Sequence, residues 1–93
     1  MMRASLLSIV TLVVLAGCAM RSETVVHGAG PDDLLKLRAG PGLDQRVIVG
    51  IPDGTRLIRH DCLNTNGRAW CRVSLADRPA VRGYVSAAYL AGN

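Results

Sequence analysis

Residues 55–75, TRLIRHDCLNTNGRAWCRVSL, read as two strands joined by a turn. Leu57 and Ile58 lie in the first arm, and Trp70, Cys71, Val73 and Leu75 interleave with polar residues in the second. Between them stands Asn64-Thr65-Asn66-Gly67, and Asn-Gly supplies the positive φ angles that a tight β-turn needs. Each arm carries one cysteine, Cys62 and Cys71, with eight residues between them. If the arms pair across the turn, the two sulfurs lie opposite each other and close a ring. In the loop-entropy view a ten-residue ring stabilises a fold by about 2.7 kcal/mol, less any strain. The other reading is two reduced, half-buried thiols, and the compartment decides between them.

The compartment is written at the front of the chain. Residues 1–18 run MMRASLLSIVTLVVLAGC, with Arg3 as a thin positive start and an apolar run over Leu6 to Ala16 broken by Ser8 and Thr11. That run is short of the about 20 apolar residues of a membrane-spanning helix, and it has the length of a secretory signal core. Leu15-Ala16-Gly17-Cys18 resembles the bacterial lipobox. The resemblance implies lipid on the Cys18 thiol and cleavage before it, since small side chains admit the peptidase and only a thiol forms the thioether. The alternative is an ordinary secretory signal with a chance cysteine. Ala19 at the next position is similar to the sorting choice for the outer membrane, so in a Gram-negative host the expected place is that membrane, facing the periplasm. With Cys18 assigned to lipid, Cys62 and Cys71 remain as a pair in an oxidising compartment.

Whole-chain composition, 49% hydrophobic, is inflated by the signal. Of 11 Lys and Arg only Arg3 leaves with residues 1–17, giving 10 basic against 7 acidic side chains, or net +3. Such a balance suits anionic wall polymers or lipid headgroups, or simply a solvated Arg-rich surface. It is too diffuse for a nucleic-acid footprint. Residues 18–33 hold the lipidated cysteine and then AMRSETVVHGAGPDD, read as a flexible tether reaching about 20 Å. His27 there is a solvent-exposed linker residue on this reading.

From residue 34 to 93 the chain reads as one small domain. Gly40-Pro41-Gly42, Pro52-Asp53-Gly54, Asn66-Gly67 and Asp77-Arg78-Pro79 separate five short runs, 34–38, 46–51, 55–62, 69–75 and 81–85. That rhythm predicts an all-β sandwich or small barrel. Leu35 and Leu37 alternate with Lys36 and Arg38, the pattern of one buried face. Ser86 to Leu90 fits a single helical turn capped by Ser86.

Four blocks then carry a family resemblance. Leu35-Lys36-Leu37-Arg38-Ala39-Gly40-Pro41-Gly42 is similar to the opening "L-x-V-R-x-G-P" of bacterial SH3 (SH3b) domains. Val47 to Ile51 with Pro52-Asp53-Gly54-Thr55 resembles their second strand and "P-x-G" turn. Trp70-Cys71-Arg72-Val73 resembles "W-x-x-V", and Gly83-Tyr84-Val85-Ser86-Ala87-Ala88-Tyr89-Leu90 resembles "G-W-V-S-x-x-Y-L". The resemblance implies a five-stranded SH3-like barrel ending in a short 3-10 turn. The chain departs from the pattern at Arg59 and His60, where apolar residues are usual, and at Tyr84, where Trp is commoner. Either Arg59 lays its stem along the core edge or the strand slips and turns Ile58 inward.

No enzyme is expected and no cofactor. Cys62 and Cys71 are better used as a pair than as a catalytic thiolate. A zinc site from His60, Cys62 and Cys71 lacks a fourth ligand at any recognisable spacing. In enzymes that carry an SH3b module the catalytic unit is a separate domain, and none is expected here. Trp70 stands in antiphase to Cys71, Val73 and Leu75, so it points away from their face, where a ring serves as a platform for an extended peptide or merely covers the barrel. The resemblance implies peptidoglycan or its peptide as ligand, with Trp70, Tyr84, Arg38 and Arg72 as candidate contacts, the arginines pairing with wall carboxylates. The second reading is an accessory subunit docked on another envelope protein through the same aromatics.

Overall fold

The computed structural model describes residues 22–91. Cys18, the apolar run before it and the lipobox lie outside the described residues. Seven strands form one curled antiparallel sheet: β1 (Ser22–Val26), β2 (Leu35–Arg38), β3 (Val47–Ile51), β4 (Arg56–Thr65), β5 (Arg68–Leu75), β6 (Arg78–Ser86) and β7 (Leu90–Ala91). Their order across the sheet is β3-β2-β6-β5-β4-β1-β7, and a 3-10 turn over Ala87–Tyr89 joins β6 to β7. The five runs read from the sequence are β2 to β6, and the all-β, SH3-like barrel class holds.

Two strands are additions. Residues 22–26, placed by the sequence reading in a flexible tether, pair with β4 from Ser22↔Arg59 to Val25↔Arg56 and with β7 at Val25↔Ala91 and Val26↔Leu90. Thr24 and Val26 alternate inward, both buried, and the Thr24 hydroxyl donates to the Ala91 carbonyl at 2.7 Å. The segment that follows is held as well. Both Asp53 carboxylate oxygens accept backbone N–H bonds, from Ala29 at 3.0 Å and Gly30 at 3.1 Å, and the His27 N–H donates to the Tyr89 carbonyl at 2.9 Å. The tether reading is therefore corrected for residues 22–33. Ser-Glu-Thr-Val-Val has the β-branched content of a strand, and its partners lie far along the chain.

The core lies on one face of the curl. Leu35, Leu37, Ile51, Leu57, Cys71, Val73 and Val85 pack there with Val26. Gly83 belongs to the same layer because there is no room for a side chain. A Cβ at that position would sit 2.5 Å from the Arg38 carbonyl oxygen and 3.1 Å from atoms of Ile48 and Leu37. The glycine of the closing block thus lets the β2 backbone pass close to β6.

The β4–β5 hairpin turns through Asn66 at φ 54° and Gly67 at φ 79°, both in the left-handed region that a two-residue hairpin turn requires. Its register runs Leu57↔Leu75 and Arg59↔Val73, then Asp61↔Arg72 and Cys62↔Cys71. His60 is the extra residue of a β-bulge, and this settles the strand's register. Leu57 is the inward residue, and Arg59, half-buried, shares the core face with Val73 at its edge. An unbulged ladder would have set Cys62 opposite Trp70, on the wrong face. The bulge returns it opposite Cys71, and the two sulfurs are at bonding distance, 1.99 Å. Cys71 is buried and Cys62 exposed, so the staple runs from the core edge to the surface. With both thiols joined and His60 Nε2 2.7 Å from the Ser74 hydroxyl, the zinc alternative loses its ligands.

Candidate functional site

Residues directly opposite each other in antiparallel strands share a face. On the face away from the core, Trp70 lies opposite Ser86, Arg72 opposite Tyr84, and Tyr84 opposite Arg38. Arg38, Tyr84 and Arg72 thus form a lateral row across β2, β6 and β5, extended to Asp61 on β4. Arg72 Nε donates to Asp61 Oδ1 at 2.8 Å, an exposed ion pair. Arg38 does a different job. Its Nη1 donates to the carbonyls of Leu43 and Gln45, each at 3.0 Å, so the guanidinium fastens the loop between β2 and β3.

That loop helps to enclose two clefts. One, of about 260 Å³, is lined by residues that include Lys36, Arg38, Leu43, Arg68, Trp70, Ser86 and Tyr89. The other runs between the β2–β3 loop and the tip of the β4–β5 hairpin, past Asp44, Gln45 and Asn66. They share Leu43, Arg68 and Trp70 in their lining, so the two clefts adjoin as parts of one groove.

Trp70 points away from Cys71 and Val73, as its antiphase position requires, but it is not an open platform. It is only 3% exposed and forms the floor of the groove, with Leu43 and Arg68 on the walls. Trp70 and Arg38 are brought together; Tyr84 and Arg72 share the face but line neither cleft. Lys36, Leu43, Arg68, Ser86 and Tyr89 were not among the sequence candidates. Leu43 carried a weak signal, an apolar residue just after Gly-Pro-Gly in a loop, and it is 62% exposed. Lys36, Arg68 and Ser86 become neighbours only through the pairing of β2, β5 and β6, and Tyr89 stands in the 3-10 turn that follows β6.

The expected cap at Ser86 is not made. The 3-10 turn does follow it, but the Ser86 side chain forms no capping bond. Its hydroxyl is buried and has no hydrogen-bond partner among the described residues.

A small curled β-sheet with a groove between a pinned loop and a hairpin defines a binding module of the SH3-like class. Residues 33–91 of the chain match the family described as "Bacterial SH3 domain", and the protein belongs to that family. Bacterial SH3 domains are binding modules that commonly engage peptidoglycan or proteins. No curated protein and no solved structure matches the chain. Strand β1 precedes the matched span, so its place in the sheet is a feature of this chain's structure beyond the family match.

Proposed function

We propose that the protein is a non-enzymatic, lipid-anchored envelope component whose groove binds peptidoglycan through its peptide. The anchor is lipid on Cys18, and the place is the periplasmic side of an outer membrane. Support for the anchor comes from the lipobox-like Leu15-Ala16-Gly17-Cys18 and from the disulfide-distance pair Cys62 and Cys71, which suits an oxidising compartment. The single observation that carries the binding reading is the groove itself, with Trp70 as floor and Arg38, Arg68 and Lys36 along it. Its two adjoining clefts suit an extended chain, and its basic residues suit the carboxylates of wall peptides.

Pelleting with protein-free peptidoglycan tests this reading. Retention of the oxidised protein at moderate salt is expected. Loss of all retention at modest salt would reduce the interaction to arginines meeting an anionic polymer and would contradict the reading. No retention at all, with capture of one envelope protein by crosslinking, would instead establish the accessory-subunit alternative.

A further inference from the structure

Ser86 is the anomaly on the outer face. It ends β6 directly opposite Trp70 and is 5% exposed. A buried hydroxyl normally has a partner, yet Ser86 Oγ has none among the described residues. The residue lines the same cleft as Trp70 and Tyr89. Three cationic side chains, Lys36, Arg38 and Arg68, line that cleft, against one acidic residue, Asp33. Arg38 is committed to the Leu43 and Gln45 carbonyls. Lys36 and Arg68 are exposed and make no salt bridge among the described residues, whose ion pairs use Arg56 and Arg72.

We infer that this cleft is a seat for a carboxylate of the bound wall peptide. The Ser86 hydroxyl donates to one carboxylate oxygen, Lys36 and Arg68 supply the compensating charge, and Trp70 and Tyr89 flank the chain that bears it. The inference rests on the wall-peptide reading and narrows it to the chemical group recognised. A hydroxyl donor together with unpaired cations suits an anion that accepts hydrogen bonds. A neutral sugar would use the hydroxyl and leave both charges unanswered. The apolar neighbours Leu34, Leu35 and Leu43 suit the short aliphatic chain of a peptide.

Two probes test it on isotope-labelled protein: a soluble wall tetrapeptide with free carboxylates, and the same peptide with its carboxylates amidated. The acid form is expected to shift the Trp70 and Ser86 signals and to bind about tenfold more tightly than the amide, the usual effect of one charge-assisted hydrogen bond. Ser86→Ala is expected to weaken binding of the acid about tenfold and, because an amide oxygen also accepts from a hydroxyl, to weaken binding of the amide as well. Because the hydroxyl has no partner among the described residues, the same substitution is expected to leave the thermal midpoint of the free protein unchanged or raised. Arg68→Gln, at an exposed position, provides the variant that removes a compensating charge, and loss of preference for the acid over the amide is expected.

Equal binding of acid and amide at Trp70 would overturn the carboxylate seat and leave wall binding standing. So would pelleting of whole peptidoglycan with no binding of the tetrapeptide. A drop in thermal midpoint for Ser86→Ala would show an internal role for the hydroxyl and would also overturn the seat. Failure of both the tetrapeptide and whole peptidoglycan would overturn the wall reading itself, and the seat with it.

Discussion

The two faces of strand β5 are one residue apart and are built for different purposes. Cys71 and Val73 face inward into an apolar layer with Leu37, Leu57 and Val85, with half-buried Arg59 opposite Val73 at its edge. Trp70, Arg72 and Ser74 face outward, where the cross-strand neighbours are Ser86, Tyr84, Arg82 and Asp61 together with the apolar Leu63 and Ile58, and where His60 meets Ser74. Trp70 is almost as buried as Val73, yet it does not belong to the core cluster. Burial alone therefore does not separate packing from binding in this domain. What separates them is the company: a mainly apolar layer on one side, and on the other, among the described residues, a buried hydroxyl without a partner beside Lys36 and Arg68, which make no salt bridge.

Substitutions on the two faces are expected to separate stability from binding. The largest effect belongs to the inner face. Leu37→Ala empties a fully buried site and is expected to cost about 2–5 kcal/mol, which a domain of this size barely tolerates. Chemical denaturation measures it, and a cost below about 1 kcal/mol would break the assignment of Leu37 to the core.

Reduction of the Cys62–Cys71 bond comes next. It is expected to cost about 2.7 kcal/mol by loop entropy, and Cys62 is exposed to the reductant. The groove residues Leu43 and Arg68 do not touch the bond's register, so binding per folded molecule is expected to persist. Loss of binding before loss of fold, followed by fluorescence and pelleting in parallel, would tie the two faces together.

Gly83→Ala sharpens the picture of the β2–β6 crossing. The added methyl meets the Arg38 backbone carbonyl, and β2 must move; about 1–3 kcal/mol is expected. Since Arg38 also pins the β2–β3 loop, this inner-face change is expected to weaken binding as well. An effect on stability with unchanged binding would show that the loop holds its place without β2.

The smallest effect is on the outer row. Arg72→Gln breaks an exposed pair with Asp61 and is expected to cost no more than about 1 kcal/mol. Because Arg72 does not line the groove, little change in pelleting is expected. A large loss would extend the binding surface from the groove to the Arg38–Tyr84–Arg72 row.

Much of this was legible in the sequence, for definite reasons. The Asn66-Gly67 turn dictates its own geometry, and alternation in Leu35–Arg38 shows which face of β2 is buried, whereas both faces of β5 carry buried residues. The blocks of the SH3b pattern supplied the barrel that alternation alone does not specify. Strand β1 was hidden because a five-residue strand beside Gly28-Ala29-Gly30-Pro31 looks like linker until its partners in β4 and β7 are known. The bulge at His60 was hidden because a polar residue breaking an apolar pattern signals equally a slip, a bulge or an edge. The groove was hidden most of all. Antiphase gave the direction of Trp70, but part of its cover comes from residues distant along the chain, such as Leu43, and only the folded sheet brings them together.

The most direct test of the groove avoids Trp70, whose truncation would remove a buried ring and cost about 3–5 kcal/mol in its own right. Leu43 is exposed and lies where the two clefts meet. The measurement is pelleting of Leu43→Ser with protein-free peptidoglycan at moderate salt, beside the unsubstituted protein, with thermal midpoints recorded for both. Equal midpoints with wall retention lowered at least about tenfold are expected. Equal midpoints with undiminished retention would contradict the assignment of this groove as the wall-binding site.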